Sequence, residues 1–127
     1  MIPYQKEKIE NAICFFACEH QQKTRHSLYQ TFLYKYLALF DFGHLSQYGR
    51  PALGINYRAM QMGPVPVELY ERRDDPNISR CFTFQKDEHG LIVIPRSKPL
   101  LDYFSKREFV LMKQLVEIYG QNYVTSR

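Results

Sequence analysis

Two kinds of hydrophobic pattern alternate along this chain. Over residues 5–19 the apolar side chains of Ile9, Ala12, Ile13, Phe16 and Ala17 recur at i, i+3 and i+4, with Lys6, Glu7, Glu10 and Glu19 between them. That spacing predicts an amphipathic helix with one buried stripe. Residues 27–42 predict a second helix. Phe32, Leu33, Tyr34, Tyr36, Leu37, Leu39 and Phe40 point in nearly every direction around its axis, which marks a central helix. Ser27 and Gln30 have capping-box spacing at its start, and Gly43 is the expected stop. Residues 81–86 alternate as a strand does, residues 91–94 (Leu-Ile-Val-Ile) are rich in β-branched side chains, and Asp87-Glu88-His89-Gly90 between them reads as a hairpin loop. Over 106–119 the helical period returns in Leu111, Met112, Leu115, Val116, Ile118 and Tyr119. Ser105 and Glu108 supply a capping box there, Phe104 and Phe109 stand at the positions of a hydrophobic staple, and Gly120 is placed to close the helix.

The middle of the chain is punctuated instead. Residues 44–54, with Gly49, Pro51 and Gly54, read as a loop. Ile55, Ala59 and Met62 predict a short helix over 55–62. Gly63-Pro64-Val65-Pro66 then reads as a sharp corner: Gly63 caps one helix, Pro64 forbids its continuation, and Pro66 opens a second helix over 66–73. Glu68 early and Arg72 and Arg73 late suit that helix's dipole, and Asp74 to Asn77 break the chain again. The expected fold class is α+β: a single domain over 1–127, predominantly helical with about five helices, plus one short antiparallel hairpin.

The 127 residues suffice for one hydrophobic core. Ten Tyr and nine Phe with no Trp are a high aromatic content; some of those rings must line a core, and Tyr is also favoured at interfaces, so the composition permits a binder. A net charge of +4 is spread widely, with no basic run longer than Arg72-Arg73 or Lys106-Arg107. A dedicated nucleic-acid binder carries a denser stripe. Such a partner is therefore the alternative reading, resting on the basic excess near residues 96–113. Three cysteines, Cys14, Cys18 and Cys81, and an N-terminus interrupted by Lys6, Glu7, Lys8 and Glu10 fit a cytoplasmic protein with reduced thiols. No stretch is apolar enough to span a membrane. Cys14 and Cys18 lie one helical turn apart with His20 nearby, yet the spacing matches no known zinc motif, and core packing is the expected role. His20, His26, His44 and His89 fit no catalytic spacing, and Asp74-Asp75 and Asp87-Glu88 fall in turns. The expectation is a protein that binds without catalysis, metal or cofactor.

Three stretches together resemble the Panacea (SocA-type) antitoxin family, which includes phage-associated proteins. They are Phe32 to Phe40 followed by His44-Leu45 and Gly49; Gly54 to Pro66 continuing to Leu69-Tyr70; and Leu101 to Ser105 through Glu108 to Tyr119-Gly120. The middle stretch is the most specific, with a Tyr-x-Ala segment followed by Gly-Pro-Val-Pro. The resemblance implies an antitoxin of a bacterial toxin–antitoxin system, bound directly to its cognate toxin. It also implies an adaptor role, handing the toxin to a protease or unfoldase. It further implies a helical segment carrying a His beyond Gly120. Only Gln121 to Arg127 follow here, so that segment is either cut off or absent. Candidate toxin-binding residues are aromatic and basic side chains beside loops: Tyr48, Arg50, Tyr57, Arg58, Tyr70 and Arg73, since Tyr and Arg are enriched at energetic hot spots.

Overall fold

Four α-helices and two antiparallel hairpins make up the fold among the described residues: α1 (Gln5–Thr24), α2 (Gln30–Tyr48), β1 (Tyr57–Met60), β2 (Gly63–Pro66), α3 (Val67–Glu71), β3 (Phe82–Lys86), β4 (Leu91–Pro95) and α4 (Lys106–Thr125), with a 3-10 turn over Leu101–Tyr103. This computed structural model describes residues 2–125, with side chains through Gly120. The predicted domain limits at 1 and 127, and the segment expected after them, lie outside the described residues.

Helices α1, α2 and α4 pack together around Phe16, Leu33, Tyr36, Leu37, Phe40 and Met112, all fully buried. The rings of Phe16 and Tyr36 stack at 4.9 Å. The β3–β4 hairpin closes one side of this core through Phe82 and Val93. Its register, Phe82 opposite Pro95 to Lys86 opposite Leu91, is the hairpin the alternation predicts.

Both ends of α2 differ from the sequence expectation. The Ser27–Gln30 capping box does not form, and Tyr29 caps the helix with extended backbone instead. Residues 28 and 29 are committed elsewhere. The Val93 amide donates to the Leu28 carbonyl at 2.8 Å, and Tyr29 bridges to Ile92, so this stretch flanks the edge of β4. Gly43 does not stop the helix. It remains helical and faces Leu111 of α4, and the helix ends at Gly49, where φ is 81°. Helix α1 likewise runs past residue 19 because His20 and Thr24 are buried; Arg25 caps it at φ 63°. Gly120 does not close α4, which continues to Thr125, and Ile118 is exposed rather than in the core. The capping box at its start does form: the Ser105 amide donates to Glu108 Oε1 at 2.8 Å, and the Glu108 amide to Ser105 Oγ at 3.2 Å.

The largest correction concerns residues 55–66. Neither a helix over 55–62 nor a corner between two helices exists. Gly63, Pro64, Val65 and Pro66 are strand β2, paired with Tyr57–Met60. Pro66 sits outside α3 as its cap residue, and α3 is a helix of five residues rather than eight. The fold class stands as α+β, with four helices and two hairpins among the described residues in place of five and one.

His20 has no exposed surface, and its Nδ1 lies 2.8 Å from the Tyr36 hydroxyl. Burial, reinforced by nearby His26, lowers its pKa from 6.5 to about 4. The folded state therefore favours the neutral ring, while the unfolded chain takes up a proton near pH 6.5. The associated stability is fully present above pH 6.5 and is lost as pH falls towards 4. At 1.36 kcal/mol per unit the loss is at most about 3 kcal/mol. Urea unfolding at pH 7.0 and 4.5 should show this drop in the wild type, and a much smaller one in His20→Gln. An equal drop in both would assign the slope to other groups.

Candidate partner-binding surface

Asp41 is the one acidic residue of α2, between Phe40 and Phe42, and it is 1% exposed. A bare buried carboxylate is expensive, so it must be met by donors. Asp41 Oδ1 accepts the amides of Leu53 and Gly54, the latter at 3.1 Å, and Oδ2 accepts the amide of Ile55 at 3.2 Å. The Tyr57 hydroxyl donates to Oδ2 at 2.8 Å. On the other side, Gln5 Nε2 of α1 donates to the carbonyls of Leu53 and Gly54 at 2.9 and 3.0 Å. Gly54 adopts φ 71° in this clamp. The left-handed backbone favours glycine, and a Cβ there would press on the side-chain ends of Ile2 and Gln5 at 3.0 and 3.1 Å. Burial, with the charge and hydrogen bond of Asp41, pushes the Tyr57 hydroxyl far above its usual pKa. It stays a donor at any physiological pH.

The clamp fixes the base of the β1–β2 hairpin against α2. Beyond it the hairpin is exposed: Arg58, Ala59, Met60, Gln61 and Met62 all face solvent, with Met62 83% exposed. Phe42, ring to ring with Tyr57 at 5.2 Å, and Leu45 add exposed apolar surface from α2. Soluble proteins seldom leave several large apolar groups exposed in one region unless the region binds something.

The six residues chosen from sequence do not form one cluster. Tyr57 turns inward to Asp41, and Arg58 projects from β1 into solvent. Tyr57 and Tyr70, which flank the Gly63–Pro66 segment, go to different partners. Tyr70 lies under the Arg73 guanidinium at 3.9 Å, and Arg73 also donates to the Tyr70 carbonyl at 2.7 Å. Tyr48 lies under the guanidinium of Arg107 from the first turn of α4, 3.9 Å above its ring. Arg50 is exposed, and its carbonyl accepts from Nδ1 of buried His44 at 2.7 Å. Sequence reasoning missed Asp41, Phe42, Met60, Met62 and Arg107. A lone acid in an otherwise apolar helix was the available signal for Asp41, and two methionines around a turn were the signal for the hairpin tip.

Elsewhere, a cleft of about 380 Å³ between α1, α3 and β3 is lined mainly by Ile9, Ile13, Leu69, Ile78 and Phe82. The Cys14 thiol donates to the Ser97 carbonyl at 3.0 Å, and burial together with Cys18 pushes its pKa up to about 12. Burial raises Cys18 too, so both are protonated thiols at neutral pH. Among the described residues, no group of three or more His, Cys, Asp or Glu side chains is placed to hold a metal ion, and no helix is long and apolar enough to cross a membrane.

The family model described as antitoxin SocA-like, Panacea domain, matches residues 33–122. The chain belongs to this family. The matched stretch of the Panacea domain starts within α2 and runs into α4. It therefore contains Asp41 and the loop it clamps, both hairpins, α3 and the capping box of α4, while α1 with Gln5 precedes it. No curated protein and no solved structure matches the chain.

Proposed function

We propose that this Panacea domain is the antitoxin of a bacterial toxin–antitoxin pair, acting in the cytoplasm and neutralising its toxin by direct contact, with no bond chemistry of its own. Family membership supports the antitoxin role. The observation that carries direct binding is the hairpin held by Asp41, which presents Arg58, Met60 and Met62 to solvent beside Phe42. A preorganised surface loses little freedom on association, and methionine and aromatic side chains adapt well to a partner's shape.

The adjacent open reading frame, expressed alone, should arrest growth, and co-expression of this chain should restore it. The two proteins should also co-purify. A harmless neighbour, or rescue without co-purification, would count against the reading. Met62→Asp gives a sharper test. The side chain is almost fully exposed, so the melting temperature should stay within about 2 °C of wild type, as for most surface changes. A charge placed in the apolar contact should weaken toxin binding at least tenfold, about 1.4 kcal/mol. Unchanged affinity by calorimetry would remove the hairpin tip from the interface.

A further inference from the structure

We infer that the outer edge of β1 accepts an extended segment of the partner protein, which adds as a third strand with a carboxylate opposite Arg58. The inference rests on the reading that this domain binds a protein, and it names the mode of binding.

The hairpin register carries the argument. Tyr57 pairs with Pro66, Arg58 with Val65, Ala59 with Pro64 and Met60 with Gly63. Just before the hairpin, the Val67 amide donates to the Asn56 carbonyl at 3.0 Å. Antiparallel pairs alternate between those that exchange hydrogen bonds and those that do not. The bonded pairs are therefore 56 with 67, 58 with 65, and 60 with 63. Residues 57 and 59 of β1, and 64 and 66 of β2, direct their backbone polar groups away from the hairpin.

On β2 both of those residues are proline. That edge has no N–H to offer, and β2 lies on the side of α2. Proline at outward-facing positions is a usual means of closing an edge. On β1 the corresponding residues are Tyr57 and Ala59, which keep both N–H and C=O. Among the described residues, no backbone bond outside the hairpin uses either amide. The hairpin is thus closed on one edge and open on the other. An open edge is complemented by one kind of ligand, another extended strand.

Charge decides whose strand it is. A second copy would pair antiparallel, and the register that uses Tyr57 and Ala59 of both copies sets Arg58 opposite its own counterpart. Like charges directly opposite in a non-bonded pair are destabilising. Arg58 is exposed and takes part in none of the ion pairs among the described residues. A foreign strand with Asp or Glu at that position satisfies it. Two residues further along, the same strand meets Met60 and should be apolar there.

The test uses the full chain and two variants. Ala59→Pro removes one outward N–H without touching a bond inside the hairpin, and Arg58→Glu reverses the charge with the backbone intact. Random 12-residue peptides displayed on phage are selected on the wild-type chain. The expected winners alternate apolar side chains, carry an acid, and slow hydrogen exchange at the amides of Tyr57 and Ala59. They should lose at least tenfold affinity on each variant while the melting temperature holds. Unchanged affinity on either variant, slowed exchange confined to helices, or no enriched peptide overturns the inference. If Ala59→Pro fails to fold, Arg58→Glu and the exchange pattern decide. Co-purification with the adjacent gene product separates the two claims. A wild type that captures no toxin counts against the antitoxin reading, whereas equal capture by wild type and both variants sinks only the strand-addition mode.

Discussion

Asp41→Ala should lower the unfolding free energy by about 3–5 kcal/mol, as expected when one member of a buried charged network is deleted. The carboxylate satisfies three backbone amides and the Tyr57 hydroxyl together. An alanine leaves all four donors without their acceptor in a site that excludes most water. Asp41→Asn should be milder but still costly, because it keeps one oxygen and turns an NH2 towards donors. Tyr57→Phe removes one donor and leaves the three amide bonds, so it should cost only about 1 kcal/mol. The order Ala, then Asn, then Tyr57→Phe, measured by chemical denaturation, is the signature of a clamp. Native-state hydrogen exchange should also show the amides of Leu53, Gly54 and Ile55 losing protection in Asp41→Ala well before the helices do. An Asp41→Ala protein within about 1 kcal/mol of wild type would mean that the hairpin is held by packing alone. Where the clamp fails, the hairpin loses its fixed orientation, and binding should fail at temperatures at which the three long helices remain folded.

Local signals in this chain were legible, and those that depend on a distant partner were not. The start of α4 could be read because Ser105 and Glu108 satisfy each other within one turn. The β3–β4 hairpin could be read because its loop and alternation lie within 15 residues of sequence. The start of α2 could not, because Leu28 and Tyr29 are tied to Val93 and Ile92 of β4, more than 60 residues later. Gly43 carries the same ambiguity: a glycine inside a helix, facing Leu111 of α4, looks identical in sequence to one that ends a helix. The β1–β2 hairpin was the hardest case. Two prolines ordinarily argue against a strand, and the segment becomes one only because both occupy positions that give no bond to β1. The candidate surface suffered in the same way. Residue type alone points to tyrosines and arginines beside loops, yet Tyr57 is engaged inward by Asp41 and Tyr48 pairs across to α4. Arg58, which projects freely, was legible by type but not by its place on an open edge.

The buried ion pair between Lys8 of α1 and Glu108 of α4 makes the second large expectation. Nζ and Oε2 are 2.8 Å apart, and the two side chains are 9% and 11% exposed. Burial alone would raise the pKa of Glu108; the hydrogen bond from Lys8 and the amide of Ser105 outweigh it and hold the carboxyl below its ordinary value of 4.5. The carboxylate's contribution is therefore intact above pH 4.5 and is lost as pH falls below that through the lowered value. Removing one partner strands the other's charge, which typically costs about 3–5 kcal/mol. Lys8→Met and Glu108→Gln should each fall in or just below that range. The double variant should return to within about 1 kcal/mol of wild type. Its neutral pair needs no desolvated charge, and glutamine still serves the capping box with Ser105. A double-mutant cycle on unfolding free energies should then give a coupling of at least about 2 kcal/mol. Additive losses would mean that the two residues stabilise the helices separately, and that α1 and α4 are joined by apolar packing such as the Phe15–Phe109 contact at 5.8 Å rather than by charge.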